Sequence, residues 1–360
     1  MRDPAIAPIK PSKVWRVKRV RGPRHCKSLR SNSRRERSPL TAAQAVFGFF
    51  MDKKFLENIN LSEFSNYRIG GPARYFFEAK SVEEIAWAIQ EANAKGLAVF
   101  VLGGGTNLLI NDAGFDGLVL RPALRSLEVQ GATIRAGASV AMSDLLNFSA
   151  EHGLSGLEWA GGLPGTLGGA IRGNAGCFGK ETKDIVTSVV SLDARTGKTA
   201  TRNNQDCRFS YRTSVFKEGS GAEIILSAEL ALTKGDPVDI KKAIQEKIDY
   251  RTRRHPMDSP NAGSIFKNVD LRHIPSELHA QFAHVIKQDP FPVVPAAYLI
   301  SEAGLAGVSF GGAMISPKHP NFIVNVLEAK AADVKELISL VKGEVKQKFG
   351  IELEEEVMYV

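Results

Sequence analysis

Residues 81–109 read SVEEIAWAIQEANAKGLAVFVLGGGTNLL and combine a helix, a strand and a glycine-rich loop. Ser81 and Glu84 have the spacing of a capping box, which predicts that the helix begins at Ser81. The apolar residues at helical spacing are Ile85, Ala88, Ile89 and Ala92. After a stop at Gly96, the apolar run at 98–102 predicts a buried strand that leads into three glycines. With a strand before the helix, this is the pattern of a βαβ-like unit.

Outward from this unit, the sequence alternates between strand and helix patterns. Residues 119–235 consist mostly of short strands and turns. The predicted elements beyond the first unit are helices at 143–152, 238–254 and 331–349, and strands at 189–192, 224–232 and 351–360. The last helix is expected to stop at Gly350. These elements predict an α+β fold with three lobes.

The positive charge of the chain is concentrated at its N-terminus. The formal net charge is +8, but residues 1–50 contain thirteen Lys or Arg and two acids, a net of +11. Residues 51–360 therefore carry −3, which argues against a nucleic-acid-binding face on them. The composition of 1–50 predicts a disordered leader. Three interpretations stay open: translation from a start upstream of Met51, which we favour, an organelle transit peptide, and a nucleic-acid-binding arm.

Cysteine usage and hydropathy favour a soluble protein of a reducing compartment. Cys26, Cys177 and Cys207 form no C-x-x-C pair and are odd in number, so we expect neither a disulfide framework nor a zinc site. No other metal site is predicted. The longest apolar runs are strand-sized, whereas a membrane span requires about 18 residues. We therefore expect a cytoplasmic protein with no membrane or nucleic-acid partner.

Three glycine-rich stretches are candidates for binding an anion. They read RIGGPA at 68–73, GGGTNL at 103–108 and GGLPGTLGG at 161–169. Glycines let backbone N–H groups approach phosphate oxygens without interference from a Cβ atom. Each stretch taken alone is as compatible with a tight turn. The P-loop pattern is absent, and the spacing at 103–105 does not fit a Rossmann fingerprint.

The glycine stretches belong to a longer series of motifs that occur in one order. The series is RIGGPA 68–73, GGGTNLL 103–109, GFDGLV 114–119, LPGTLGG 163–169, NAG 174–176, YR 211–212, AGSIFKN 262–268, GGA 311–313 and NFIVN 321–325. It closely resembles the UDP-N-acetylenolpyruvoylglucosamine reductases of bacterial peptidoglycan synthesis. The resemblance spans about residues 55–357.

This resemblance implies a two-lobed FAD-binding domain of the vanillyl-alcohol-oxidase type plus an α+β substrate-binding lobe. The expected boundaries are 51–121 and 122–236 for the two FAD lobes, 237–350 for the substrate domain, and 351–360 for a C-terminal strand that carries a catalytic acid. The implied reaction uses NADPH as co-substrate and FAD as cofactor. It reduces the enolpyruvyl group of UDP-N-acetylglucosamine enolpyruvate to give UDP-N-acetylmuramate.

The resemblance also assigns the residues that contact FAD. They are Arg68, Gly70, Gly71, Gly103, Gly104, Gly105, Thr106, Asn107, Leu108, Pro164, Gly165, Thr166, Gly168 and Gly169. Many oxidases of this fold tether FAD covalently through a histidine in the phosphate loop. The loop at 103–108 offers Thr106 and no histidine, so we expect the FAD to be bound non-covalently.

Three residues match the catalytic positions of the family. Hydride addition to the terminal enolpyruvyl carbon leaves an enolate beside a carboxylate, which needs a cation and then a proton. Arg212 would stabilise that charge through its bidentate fork, Ser264 would donate the proton, and Glu356 would assist polarisation. Substrate contacts are expected from Tyr211, from Asn268, and from the cluster at 251–255, which includes Arg254.

The sequence departs from the family pattern at several points. Glu355 replaces the proline that usually separates the two C-terminal acids, so Glu354 is an alternative to Glu356 as the catalytic acid. Residues 269–295 are longer than the usual connection. Two other functions stay open: another flavin oxidase of the same FAD-binding fold, and a flavin-binding module without turnover. The motifs around Arg212 and Ser264 argue against the second.

Overall fold

The computed structural model describes residues 53–219, 222–289 and 291–360, so the predicted leader at 1–50 lies outside the described residues. The α-helices are Val82–Ala94, Met142–Glu151, Leu167–Arg172, Val215–Glu218, Pro237–Arg254, His279–Phe282, Ala296–Glu302 and Ala331–Phe349. The 3-10 helices are Leu61–Phe64, Glu158–Ala160, Thr182–Asp184, Gln205–Cys207, Leu271–His273 and Ser276–Leu278. Together with several β-sheets, these helices give the α+β fold that the sequence predicts.

The first sheet contains four strands and includes the predicted βαβ-like unit. Its order is Leu56–Asn60, Pro72–Ala79, Phe115–Pro122 and Ala98–Val101. The last three strands are parallel to one another. Helix Val82–Ala94 connects the second strand to the edge strand and buries all four of the predicted apolar residues. The unit is therefore confirmed.

Two details of this unit differ from expectation. The hydroxyl of Ser81 accepts from the N–H of Glu84 at 3.2 Å, but the Glu84 carboxylate accepts from Lys80 N–H at 2.6 Å instead of from Ser81. The prediction of Ser81 as the N-cap is therefore confirmed, but the reciprocal hydrogen bond to the Glu84 carboxylate comes from Lys80, one residue before the cap. The prediction of a buried strand at 98–102 is wrong for Ala98–Val101, which is exposed to half-buried. The reason is its place at the sheet edge, where residues 99–101 line a cavity.

The second sheet contains five antiparallel strands. Its order is Thr199–Asn203, Val186–Asp193, Glu223–Ala231, Thr133–Gly137 and Leu127–Gln130. The strands predicted at 189–192 and 224–232 lie in this sheet; the first begins three residues earlier, at Val186, and the other ends agree within one residue. Helix Met142–Glu151 begins one residue before its predicted start. Its buried face packs with the sheet and with helix Pro237–Arg254 in one apolar core.

The C-terminal region is built around the last long helix. Helix Ala331–Phe349 has the predicted bounds and ends at Gly350, whose φ of +70° is that of a left-handed cap. The helix buries Val334, Leu337, Ile338, Val341, Val345 and Phe349. A three-stranded sheet packs against this helix and consists of Ser309–Phe310, Ala313–Ile315 and Ile323–Asn325. This region carries the core that contains Ile265 and Phe266.

Several two-residue strand pairs complete the described fold. They are Gly176–Cys177 with Lys180–Glu181, Leu154–Ser155 with Thr233–Lys234, Val269–Asp270 with Val293–Val294, and Leu108–Leu109 with Met358–Tyr359. None of the helices in the described ranges combines the length and apolar character needed to cross a membrane. Residues 54–360 form one unit, and the lobe boundaries at 121, 236 and 350 remain a proposal.

The prediction of a closing strand at 351–360 is wrong for most of its length. The strand is limited to Met358–Tyr359, which pairs in parallel with Leu108–Leu109. Before it, an isolated antiparallel bridge joins Glu355 to Phe266, and the backbone partner then changes to the loop that contains Asn107. Lys267 N–H donates to the Glu354 carbonyl at 2.9 Å, Glu356 N–H donates to the Ile265 carbonyl at 2.7 Å, and Met358 N–H donates to the Asn107 carbonyl at 3.1 Å. Because the partners change, no continuous ladder forms, and Glu356 lies on extended chain outside a strand.

Candidate active site

A cavity of about 1070 Å³ is enclosed by elements of both sheets and of the C-terminal region. Three parts of its wall correspond to predictions. They are the loop at 103–108, the loop at 164–169, and the three residues Arg212, Ser264 and Glu356. The volume lies at the upper end of the range of about 300–1,000 Å³ that is common for small-molecule sites. The cavity is therefore large enough for an extended ligand.

The two glycine loops meet at the cavity. A Cβ atom added to Gly104 would lie 2.6 Å from the Cα of Gly165, a separation that no real Cβ contact allows. Thr166 Oγ1 lies 3.3 Å from the Cβ position of Gly103. The absence of a side chain at Gly103 and Gly104 therefore lets the two loops pack closely together, and both loops line the cavity. Glycine-rich loops can present backbone N–H groups to a dinucleotide diphosphate, so these residues fit FAD.

Gly70 and Gly71 of the motif at 68–73, which were predicted to contact FAD, do not line the cavity. Arg68 of the same motif does line it. A Cβ atom on Gly71 would lie 2.2 Å from the Asp112 carbonyl oxygen. The N–H of Gly71 also donates to the Asn111 carbonyl at 2.8 Å. These contacts give the glycine a packing role behind the wall.

Arg212 is presented at the tip of a tight turn. Ser210 and Thr213 exchange two backbone hydrogen bonds of 3.1 and 3.2 Å, which leaves Tyr211 and Arg212 as the two central residues. Arg212 has a φ of +58°, in the left-handed region that favours glycine. A non-glycine residue held there costs on the order of 1–3 kcal/mol and persists only where its surroundings impose it. One such restraint is Lys217, whose Nζ donates to the Arg212 carbonyl at 2.9 Å.

The guanidinium of Arg212 is paired with Glu356. Arg212 Nε lies 2.8 Å from Glu356 Oε1, and both side chains are about one-fifth exposed, at 22% and 20%. The N–H direction is poorly aligned, so the contact is an ion pair more than a hydrogen bond. Burial acts to lower the pKa of Arg212, but the charge and contact of Glu356, together with Tyr211 and Cys177, raise the pKa above its ordinary value. Arg212 therefore stays charged.

Ser264 is positioned by the backbone on both sides of it. The N–H of Gly263 donates to Asn261 Oδ1 at 2.9 Å, and Ile265 N–H donates to the Asn321 carbonyl at 2.8 Å. The Ile265 carbonyl in turn accepts from Glu356 N–H at 2.7 Å. One backbone hydrogen bond thus joins the segments that carry the serine and the acid. The Ser264 hydroxyl is half-buried at the cavity wall and makes no hydrogen bond within the described ranges.

The structure distinguishes the two acids that the sequence left as alternatives. Glu354 pairs with Lys267, its side chain is 72% exposed, and it is not part of the cavity wall. Glu356 lines the cavity and faces Arg212. Between them, Glu355 turns away and accepts from Lys342 at 2.7 Å. The geometry therefore favours Glu356.

Three of the predicted substrate contacts lie outside the cavity wall as it stands. Tyr211 is beside Arg212, whose Cζ is 5.2 Å from the centre of the Tyr211 ring. The Tyr211 hydroxyl accepts from Asn268 N–H at 3.3 Å, while Asn268 Oδ1 accepts from Ala296 N–H at 3.2 Å. Arg254 instead stacks over the ring of Tyr250, at 5.0 Å. Tyr211 and Asn268 thus adjoin the candidate catalytic residues, and Arg254 does not.

Three residues of the wall were not among the predicted site residues, namely Arg172, Cys177 and Lys217. Arg251 and His255, which also line the cavity, belong to the predicted cluster at 251–255. Burial, followed by the charge of Lys267, lowers the pKa of Lys217, and burial lowers that of Arg172. Arg251 donates from Nε to the Gly161 carbonyl and from Nη2 to the Cys177 sulfur, both at 2.9 Å.

His255 is the one histidine of this wall within the described ranges. Burial, together with the charges of His319 and Arg251, lowers its pKa to about 4, so the imidazole is neutral near pH 7. Two of the wall residues that were not predicted, Lys217 and Arg172, lie close in sequence to motifs that were, and this proximity could have identified them. Lys217 follows the YR motif by five positions and Arg172 precedes the NAG motif by two.

The fold and the glycine-lined cavity define a flavin-binding protein: residues 73–201 match the FAD binding domain family. Residues 255–360 match the C-terminal domain of UDP-N-acetylenolpyruvoylglucosamine reductase. A curated relative from Solibacter usitatus is 37% identical over 301 residues, which cover 83% of this chain and 95% of the relative. The chain belongs to the UDP-N-acetylenolpyruvoylglucosamine reductase family, as its motifs predicted.

Two further relatives agree with this assignment. The reductase of Caldanaerobacter subterraneus is 37% identical over 308 residues, 85% of this chain and 94% of that protein. A crystal structure of the UDP-N-acetylenolpyruvylglucosamine reductase from Thermus caldophilus is similar to this fold with a TM-score of 0.67 and 29% identity. It covers 85% of this chain and 98% of that one.

The close approach of the two glycine loops gives a test of FAD binding. We expect Gly104→Ala to lose most of its bound FAD, because the new methyl group must displace backbone at Gly165. The matched control is Gly343→Ala, where a Cβ on exposed helix meets nothing within 4 Å. That control should keep its FAD and gain roughly 0.5–1 kcal/mol of stability. Flavin absorbance after gel filtration and urea unfolding measure both; full FAD retention by Gly104→Ala contradicts the expected packing.

Proposed function

We propose that this protein uses NADPH to reduce the enolpyruvyl group of UDP-N-acetylglucosamine enolpyruvate, forming UDP-N-acetylmuramate for peptidoglycan synthesis. The observation that carries the proposal is the common wall shared by Arg212, Ser264 and Glu356 with the two glycine loops. A cation, a hydroxyl and a carboxylate line one cavity whose glycine-rich loops suit a dinucleotide. The relatives named above support the same activity, since each carries the name of that reductase.

The arrangement fits the charge that develops in this reaction. When bound, FAD supplies hydride transfer between NADPH and the enol ether. The terminal carbon gains the hydride, and negative charge develops at the neighbouring carbon and its carboxylate. Arg212 is a permanent cation in a partly buried setting, where its field is stronger than in water. Its fork can bind the carboxylate and stabilise the enolate as it forms.

Glu356 and Ser264 complete the proposed chemistry. Glu356 fixes the orientation of the Arg212 guanidinium through their ion pair and so helps to polarise the substrate. Ser264 delivers a proton from Oγ to the carbon that bears the carboxylate. Its hydroxyl is available at the cavity wall, and the hydrogen bond between Ile265 and Glu356 holds its backbone. The cations nearby would stabilise the alkoxide that remains.

The sequence and the free cysteines also support proposals on how FAD is bound and where the protein acts. We infer that FAD is bound non-covalently, because residues 103–108 contain no histidine. We also place the protein in the cytoplasm, because Cys177 and Cys207 are both free thiols. The substrate is a small anionic molecule, which suits the Arg and Lys side chains of the wall.

The direct test is a two-step titration of the purified protein. We expect a yellow protein whose flavin absorbance is bleached by NADPH under anaerobic conditions. Addition of the UDP-enolpyruvyl sugar should then restore the absorbance and consume one equivalent of sugar. UDP-N-acetylglucosamine, which lacks the enolpyruvyl group, is the control and should leave the flavin reduced. A flavin that NADPH reduces but the UDP-enolpyruvyl sugar does not reoxidise would overturn the proposed substrate.

Substitution of Ser264 should separate the two half-reactions. In Ser264→Ala we expect flavin reduction by NADPH at close to the parent rate, since that step needs no proton from the serine. Reoxidation by substrate should slow by ~10²–10⁴-fold, the usual contribution of a positioned proton donor. Ser264→Cys should be less damaged, because a thiol also carries a proton. Stopped-flow absorbance measures both steps, and equal slowing of the two would remove Ser264 from the mechanism.

The two acids offer a matched pair for a third experiment. Glu356→Gln removes the charge that holds Arg212, so we expect reoxidation by substrate to slow by on the order of 10²-fold. Glu354→Gln changes an exposed carboxylate paired with Lys267 and should stay within about twofold of the parent, as surface ion pairs contribute little. Single-turnover rates at saturating substrate measure the effect. The opposite order of damage would assign the role to Glu354.

A further inference from the structure

The longer segment at 269–295 is anchored in the C-terminal core at both ends. Val269–Asp270 pairs with Val293–Val294, and Lys287 and Val293 exchange hydrogen bonds of 3.0 and 2.9 Å. Between these points, the fully buried Phe282 packs on Phe349, with ring centres 5.7 Å apart. The base of the segment is therefore fixed, and Asp289 and Phe291 lie in the sequence between Lys287 and Val293.

Two side chains of this segment contact the second lobe. Asp289 Oδ2 accepts from the N–H of Gly179 at 2.6 Å. The ring of Phe291 packs on Tyr211 in an edge-to-face arrangement, with ring centres 5.2 Å apart and an angle of 77°. We call these two side chains, Asp289 and Phe291, the strap.

Both residues that the strap contacts adjoin the cavity wall. Gly179 lies in the hairpin of Gly176–Cys177 and Lys180–Glu181, and Cys177 lines the cavity. Tyr211 precedes Arg212, and the guanidinium of Arg212 lies over its ring. The Tyr211 ring is thus held from three directions, by Phe291, by the N–H of Asn268 and by Arg212.

We propose that the strap positions Tyr211, and through it Arg212, for the carboxylate of the substrate. Arg212 has a left-handed backbone that its surroundings must impose, and Tyr211 shares its two-residue turn. A ring that packs on Tyr211 limits where the turn can move, and a carboxylate on Gly179 holds the hairpin beside it. Asp289 and Phe291 are positioning residues, since neither is part of the cavity wall. This inference rests on the proposed function.

The test uses the full-length, FAD-loaded protein and its Phe291→Ala variant. We expect unchanged flavin reduction by NADPH, because that step does not need Arg212 to bind the substrate carboxylate. Reoxidation by the UDP-enolpyruvyl sugar should slow by roughly 10–100-fold, the range expected when a catalytic group loses its position. Calorimetric titration of the oxidised protein with that sugar should show a weaker Kd. Phe291→Tyr keeps the ring contact and should restore both values.

Two matched sets of variants separate positioning from general damage. Phe310→Ala truncates a half-exposed phenylalanine, 50% exposed, in the same region and should match the parent in both steps. Asp289→Ala should slow reoxidation and weaken the Kd, as Phe291→Ala does. Asp289→Asn keeps an acceptor for the N–H of Gly179, so its reoxidation rate and Kd should be closer to those of the parent. If Phe291→Ala does not fold, the Asp289 pair decides the question.

The outcomes distinguish the strap from the proposed function. A parent protein whose reduced flavin is not reoxidised by the UDP-enolpyruvyl sugar overturns the proposed function, and the strap inference with it. A normal parent with Phe291→Ala and Asp289→Ala at parental rates and parental Kd overturns the strap inference alone. Equal loss of both half-reactions together with FAD shows a structural role and also overturns it.

Discussion

The backbone hydrogen bond from Glu356 N–H to the Ile265 carbonyl, 2.7 Å long, fixes the distance between the proposed acid and the proposed proton donor. The same short segment is bonded to the first glycine loop: Met358 N–H donates to the Asn107 carbonyl, and Asn107 Nδ2 donates to the Glu356 carbonyl at 3.0 Å. The end of the chain therefore joins the loop that suits the cofactor to the segment that carries Ser264. Because backbone groups make all of these bonds except the one from Asn107 Nδ2, side-chain substitutions at Glu356 and Ser264 remove none of them.

Local sequence patterns predicted the long C-terminal helix correctly, because a helix makes its backbone hydrogen bonds within itself. The helix at 331–349 was predicted to the residue, because its periodic apolar face and Gly350 are both local signals. The prediction of a closing strand at 351–360 was wrong for most of its length, because a strand depends on partners that are distant in sequence. Residues 351–360 have the composition of a strand, but Glu354 accepts from Lys267, Glu356 donates to Ile265, and the partner then changes, since Met358 donates to Asn107 in a different loop. No periodicity in the sequence carries that information.

In the candidate site, too, some features could be predicted from the sequence and others required the structure. Its motif residues came from resemblance to a family, and the structure brings Arg212, Ser264 and Glu356 to one wall. The choice between Glu354 and Glu356 required geometry, since three consecutive acids alternate in direction and only their partners tell them apart. Arg254 was expected at the substrate, yet it lies over Tyr250 at the end of its helix. A side chain's partner four residues away on a helix can compete with a distant ligand.

The charges of the wall explain why an anionic substrate suits it. Arg172, Arg212 and Lys217 line the cavity, and Glu356 compensates one of them. Burial, and then repulsion from Lys267 and Arg172, lowers the pKa of Lys217, so the protonated lysine is held at a cost in free energy. A bound carboxylate or diphosphate opposes that repulsion and raises the pKa of the lysine again. Ligand binding and the proton on Lys217 are therefore linked, and the affinity for an anion must fall as the pH rises through the lowered pKa. The excess of positive charge thus serves recognition, whereas the pair of Arg212 and Glu356 serves orientation.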